Sequence, residues 1–224
     1  LIKAVVFDID GTLTDMERRL DPLAVEALAW LEVPAILATG NVHCFTRATA
    51  ILLGASKLFI AENGGVISYP GDEIEILADR PLCEKAYECL RKRFPVERHD
   101  GRYRMTDIVL KRNFDVEKAL RHLEDRGLKV DLLDSEFAVH IKDPKVDKGK
   151  ALLKVMDHLA LDRSEVAAVG DSISDLPMFK VAGFCAAVAN GSPKLKEVAD
   201  YVSKSKYGKG AHEIVDHMIQ EGMF

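Results

Sequence analysis

At 224 residues, 48% hydrophobic and 30% charged, the chain is long enough to bury one full core and a second, smaller one. No apolar run approaches the roughly 20 residues of a membrane-spanning helix, and the N-terminus lacks the basic start and small-residue cleavage site of a secretory signal, so the expected compartment is the cytoplasm. A net charge of -5, with bases interspersed among acids, argues against general nucleic-acid binding, and the four scattered cysteines form no CxxC pair and read as reduced thiols.

Short apolar runs alternate with segments of helical period, the pattern of βα units and hence of a parallel sheet covered on both faces. "KAVVFDI" reads as a buried strand, followed by a helix in "DPLAVEALAWLE" with Asp21 as N-cap and Pro22 in its first turn. "PAILATG" is a second strand. "NVHCFTRATAILLG" is a helix in which Asn41 is the expected cap, Val42, Phe45 and Leu52 the expected apolar face, and Gly54 the end. "KLFIA" is a third strand, and "ENGG" a turn into "VISY". Between about residues 80 and 147 the texture changes to an α-β-α-β-β order whose last strands read as half exposed, bounded near Pro81 and Pro144 by proline and charge. The βα alternation then resumes with a helix from Lys148, the strand "EVAAVGD", the helix "DLPMFKVA" and the strand "GFCAAVA". "SKSKYGKG", Ser203 to Gly210, reads as a mobile loop between two final helices. The expected fold class is α/β, a doubly wound Rossmann-like core of residues 1–80 and 148–224 carrying a smaller inserted α+β domain of residues 81–147.

In an open parallel sheet, ligands bind beyond the carboxyl ends of the strands. The residues there are polar: Asp8 and Asp10 after the first strand, Thr39, Gly40 and Asn41 after the second, Asp171 and Asp175 after "EVAAV", with Lys148 opening a helix. Asp8 and Asp10, one residue apart, repel unless something cationic sits between them. Magnesium prefers oxygen ligands and accepts one or two carboxylates, which Asp8 and Asp171 supply, while Thr39 and Lys148 supply a hydroxyl and a cation for a phosphate. Gly11 leaves the backbone free to turn N–H groups toward phosphate oxygens. Taken singly, each residue has a plainer role as a helix cap, turn residue or solvated charge. The seven histidines show no metal-ligand spacing.

"DIDGT", "TGN", Lys148 and "GDSISDLPMF" together resemble the four motifs of the haloacid dehalogenase superfamily of phosphatases, in order and over the whole chain. The insertion between the second and third motifs, with "ENGG", is similar to the Cof-type branch with an α/β cap, and the small cap and length most resemble its archaeal phosphoglycolate phosphatases. The resemblance implies a nucleophile at Asp8 that forms an aspartyl-phosphate and an acid and base at Asp10. It also implies phosphate binding by Thr39, Gly40, Asn41 and Lys148, and a Mg2+ site served by Asp8, Asp10, Asp171 and Asp175. Ser174 stands where many relatives have asparagine. The implied partner is a small phosphorylated metabolite, with no nucleic acid and no membrane; a phosphatase of sugar phosphates or other small metabolites, a phosphotransferase or phosphomutase on the same scaffold, and a homodimeric assembly stay open. Arg104, His140 and Lys142 in the inserted domain are candidate substrate readers that the sequence does not orient.

Overall fold

The computed structural model describes residues 1–99, 101–135 and 138–224. The chain runs β1 (Ala4–Phe7), α1 (Pro22–Trp30), β2 (Ala35–Leu37), α2 (His43–Leu52), β3 (Phe59–Ala61), β4 (Val66–Ser68) and β5 (Ile74–Ile76). It continues through α3 (Arg80–Leu90), β6 (Ile108–Leu110), α4 (Val116–Glu124), β7 (Asp131–Asp134) and β8 (Val139–Lys142). The remainder is α5 (Lys148–His158), β9 (Val166–Gly170), α6 (Leu176–Phe179), β10 (Phe184–Ala187), α7 (Pro193–Lys196), β11 (Tyr201–Val202) and α8 (Tyr207–Gln220). No helix among the described residues is long and apolar enough to cross a membrane.

The main sheet is parallel, in the order β11-β10-β9-β1-β2, so β1 lies centrally with Phe7 opposite both Leu37 and Val169. Its period-two alternation feeds two cores. Val5 and Phe7 join the cluster made with α1 and α8, whereas Ala4 and Val6 join the cluster made with α5 and α6. A strand so placed has no solvent face, which is why its sequence is an unbroken apolar run that stops at Asp8. Aspartate caps open four helices: Asp21, Asp79, Asp115 and Asp147 each accept a backbone N–H of the first turn, a contact worth about 1 kcal/mol apiece.

β3 touches the main sheet through one parallel bridge, Ala38 to Ile60, and then starts the antiparallel sheet β3-β4-β5. The third sheet, β6-β8-β7, is antiparallel and lies between residues 108 and 142, with its own cluster built from Cys83, Leu90, Leu110, Leu123, Val139 and Ile141. The observed α3-β6-α4-β7-β8 order is the one expected for this segment.

Four local expectations are corrected. β8 is wholly buried, because it is the middle strand of its sheet: Val139 and Ile141 face the cluster under α3 and α4, and His140 and Lys142 are covered on the opposite face. The first two residues of the "EFAVHIKD" stretch, Glu136 and Phe137, lie outside the described residues. In α2 the buried side chains are Thr46 and Ala50, while Phe45 and Leu52 are exposed; the small residues let the helix approach β3 closely. Asn41 does not cap α2, whose N-cap is Val42, because its side chain turns toward Asp10. The stretch from Ser203 to Gly210 is ordered. Glu213 accepts the N–H groups of Lys204 and Ser205, α8 already begins at Tyr207, and Gly208 packs on Asp21 so closely that a Cβ would collide with it.

The inserted segment is tied to the core by the Glu62–Gly65 turn. Glu62, Asn63 and Gly64 all have positive φ (51°, 55° and 93°), and the turn aims the buried Glu62 carboxylate at the Met105 and Thr106 N–H groups and the Thr106 hydroxyl. A Cβ on Gly64 would fall on the Asp147 carbonyl, and one on Gly65 on Thr106. Glu62→Ala strands those donors without an acceptor, and we expect a loss of about 2–4 kcal/mol in urea-induced unfolding, with a smaller loss for Glu62→Gln. Unchanged stability of Glu62→Ala would show that this seam contributes nothing.

Candidate active site

The parallel register brings the ends of β1, β2 and β9 to one edge, and that edge floors a cavity of about 480 Å³ lined from the core by Asp8, Asp10, Asn41, Lys148, Asp171 and Asn190 and from the inserted segment by Arg104, Ser135 and His140. The two carboxylates of the opening motif part company here. Asp8 stays in line with its strand, its N–H bonded to the Val169 carbonyl at 3.0 Å, and accepts Lys148 Nζ at 2.6 Å. Asp10 lies in the following turn and accepts Arg18 Nε at 2.8 Å and Asn41 Nδ2 at 2.5 Å. Each acid therefore has its own positive or donating partner, and the Asp10 carboxylate is not part of the acid cluster around Asp8.

That cluster comprises Asp8, Asp171 and Asp175, with one oxygen from each within 4.8 Å of the others. Lys148 sits at the start of α5 just inside the Asp147 cap, so the capped turn aims its side chain between strands, and its ammonium is shared at 2.6 Å with Asp8 and at 2.6 Å with Asp175. Burial opposes its charge, but the two carboxylates overcome it and hold its pKa above the ordinary lysine value. Asp175 also accepts the N–H groups of Asp171 and Ser172, which closes the turn after β9. Asp171 has the weakest support of the three: the Thr12 hydroxyl donates to it at 3.2 Å. Burial, aided by the charges of Asp8 and Asp175, pushes Asp171 up to about 9. Asp8 is pushed up to about 7, by burial against the pull of Lys148, with Asp175 and Asp10 adding to the rise.

The one ammonium serves Asp8 and Asp175, so ionising Asp171 as well would give the cluster more negative charge than its surroundings balance, which is why Asp171 is held so far above the ordinary carboxylate range. An all-oxygen donor set fits a hard divalent cation such as magnesium. Gly11 makes the close approach feasible: its φ is +86°, and a Cβ there would fall on the Asp171 carboxylate.

Thr39, fully buried, accepts the backbone and side-chain N–H groups of Asn41 at 3.1 and 3.0 Å, and the Gly40 carbonyl accepts Arg104 Nη2 at 2.9 Å. The structure thus gathers Asp8, Asp10, Gly40, Asn41, Lys148 and Asp171 onto one cavity, with Thr39 and Asp175 directly beneath as partners of lining residues. Ser174 also lines it, its hydroxyl 2.7 Å from that of Ser172. Of the three candidate readers, Arg104 and His140 line the cavity; Lys142 instead donates to the Val146 carbonyl and pairs with Asp131.

Sequence reasoning did not find Arg18, Thr12, Asp107 or Asn190. Asn190 was accessible by the strand-end rule, since it follows β10, and it ties Gly11 to Tyr207 through its two amide atoms. Arg18 and Asp107 carried no local signal, because each lies in irregular chain and is fixed in part by a distant partner, Asn41 for Arg18 and His140 for Asp107. Asp107 is buried between Arg104 at 2.7 Å and His140 at 2.7 Å. Burial alone would raise its pKa, but the His140 and Arg104 contacts outweigh that and hold it below the ordinary carboxylate value.

A sequence profile described as haloacid dehalogenase-like hydrolase matches residues 5–103 and 97–214. The chain is 50% identical over 223 residues to a phosphoglycolate phosphatase of Methanothrix thermoacetophila, covering 100% of both chains. It is 46% identical over 218 residues to one of Archaeoglobus fulgidus, covering 96% of each. The crystal structure of Thermoplasma acidophilum 0175 superposes with a TM-score of 0.90 at 27% identity, over 98% of this chain and 99% of that one.

The depressed Asp107 pKa fixes a sign. A group held below its unfolded value contributes stability that is complete above the ordinary carboxylate range and is lost as pH falls through the folded value. Unfolding free energy measured between pH 6 and pH 3 is therefore expected to fall more steeply in the wild type than in Asp107→Asn, and the variant is expected to be less stable at pH 7 by about 3 kcal/mol, the cost of breaking a buried ion pair.

Proposed function

The chain belongs to the haloacid dehalogenase-like hydrolase family, and from that membership and the geometry at the strand ends we propose that it is a magnesium-dependent phosphomonoester hydrolase working through an aspartyl-phosphate, with phosphoglycolate as substrate. The observation that carries the reading is the placement of Asp8, a buried carboxylate beside Lys148 and two further acids, at the floor of a cavity of about 480 Å³. Its size suits a small metabolite. The choice of phosphoglycolate is supported by the two relatives above, matched along 100% and 96% of their length.

On this reading the chain divides into a core of residues 1–80 and 148–224 and a cap of residues 81–147, a division supported by the separate hydrophobic cluster of the inserted segment. The cap residues over the cavity exclude water and limit the leaving group. An Asp8 oxygen attacks phosphorus, forming an acyl phosphate as the bond from phosphorus to the leaving oxygen breaks. Asp10 gives a proton to that oxygen, then takes one from the water that attacks the acyl phosphate, releasing inorganic phosphate and restoring Asp8. Asn41 and Arg18 orient the Asp10 carboxylate for both transfers. Lys148 holds Asp8 in place and offsets charge as the phosphoryl group approaches, while the Thr39 hydroxyl, accepting twice from Asn41, keeps its own proton for a phosphoryl oxygen. Asp8 and Asp171 would hold magnesium, with Asp175 in support; when bound, the ion balances the charge of the ionised acids and polarises the phosphoryl group.

Asp8→Asn is expected to lower turnover by at least about 10⁴-fold without unfolding the protein, and mass spectrometry of acid-quenched wild type should find phosphate on Asp8. Near-normal turnover in that variant would remove the covalent mechanism. Chelation is expected to silence phosphate release and magnesium to restore it; undiminished hydrolysis in excess chelator would contradict the metal site.

A further inference from the structure

Three fully cationic side chains line the cavity among the described residues: Lys148, Arg18 and Arg104. Lys148 belongs to the phosphoryl end, bound by Asp8 and Asp175. Arg18 lies at the rim, 47% exposed, with its charge committed to Asp10. Arg104 is the cation that the inserted segment contributes, and its side chain is only 9% exposed.

Burying a guanidinium is costly unless its donors are used. Nη1 of Arg104 donates to Asp107 at 2.7 Å and Nη2 to the Gly40 carbonyl at 2.9 Å, yet Nε has no hydrogen-bond partner among the described residues. The fork is therefore held in one orientation and incompletely satisfied. Asp107 is itself braced by His140, whose Nδ1 lies 2.7 Å from it and 3.4 Å from Asn63 Nδ2. His140 lines the same cavity.

Position selects what this group can read. The Gly40 carbonyl that Arg104 grips is one residue from Asn41, whose amide holds Asp10. Asp10 is the acid assigned to the leaving oxygen, so Arg104 stands on the leaving-group side of the site. In a glycolyl leaving group the carboxylate carbon is two bonds from that oxygen, and the carboxylate must lie within a few ångströms of it. We propose that Arg104, oriented by Asp107 and His140, is the specificity-determining residue that binds the carboxylate of the leaving group. The inference rests on the phosphoglycolate reading above. Nε is shielded, but Nη1 and Nη2 each keep a second N–H, and this planar pair suits a carboxylate, which can take two parallel N–H donors.

The test compares kcat/KM for phosphoglycolate and for ethyl phosphate, in which a methyl group replaces the carboxylate, in the wild type, Arg104→Gln, Arg104→Lys and Arg18→Gln. The wild type is expected to favour phosphoglycolate. Arg104→Gln should lose about a hundredfold on phosphoglycolate, chiefly through KM, as expected when one partner of a desolvated charge pair is removed, with ethyl phosphate nearly unchanged. Arg104→Lys keeps the charge without the fork and should show a smaller loss, again confined to phosphoglycolate; it carries the same comparison if Arg104→Gln does not fold. Equal losses on both substrates would make Arg104 a tie between cap and core and overturn the subsite. Selectivity lost in Arg18→Gln but kept in Arg104→Gln would move the reading group to the rim and overturn it also. A wild type that shows no preference between the two esters overturns the phosphoglycolate reading and the subsite with it, a result distinct from either of the others.

Discussion

The buried ammonium of Lys148, shared between Asp8 and Asp175, is the contact on which the site depends. Three pieces of chain far apart in sequence meet there: the end of β1, the first turn of α5, and the turn that follows β9. A buried ion pair is a weak source of net stability, since desolvation of both partners consumes most of the attraction. Its value here is geometric. The lysine is 1% exposed and cannot wander, so the carboxylate it grips is fixed before any ligand arrives. Asp171 has no ion-pair partner among the described residues, and a divalent cation beside the three acids would supply the positive charge that its ionisation requires.

A second layer of polar contacts relates the inserted segment to this centre. Arg104 reaches the Gly40 carbonyl, and Asn63 approaches His140, so the loop after β2 and the turn after β3 are both read from above. Asp107 stands between Arg104 and His140 and lets two basic side chains share a buried position. The cavity is thus polarised, with carboxylates and a metal-receptive cluster on the core side and a braced guanidinium on the other.

Much of this was legible in the sequence because the informative residues sit where periodicity stops. Asp8, Thr39 and Asp171 each follow a short unbroken apolar run that reads as a buried strand, and the strand-end rule then assigns them to one edge. Asp21 and Pro22 marked a helix start that the structure keeps. The misreadings share a cause, which is that tertiary partners overrule local pattern. Asn41 has the chemistry of a cap but finds a carboxylate and a guanidinium within reach, and β8 has the alternation of a half-exposed strand but is roofed on its polar face. Arg18, with φ of +62° in an irregular loop, had no periodic context to mark it.

The turn at Glu62–Gly65 has a consequence for how such a protein can be taken apart and recombined. Two consecutive non-glycine residues in the left-handed region, followed by a glycine there, make a costly local backbone. What holds it is the match between Glu62 and the donors of Met105 and Thr106, with Gly64 and Gly65 pressed against Asp147 and Thr106. The two halves of that match lie on opposite sides of the insertion point. An inserted segment transplanted from a relative therefore does not bring its own socket: the donor loop before β6 and the recipient turn form one inherited unit, and an exchange that moves one without the other leaves a buried carboxylate without its donors.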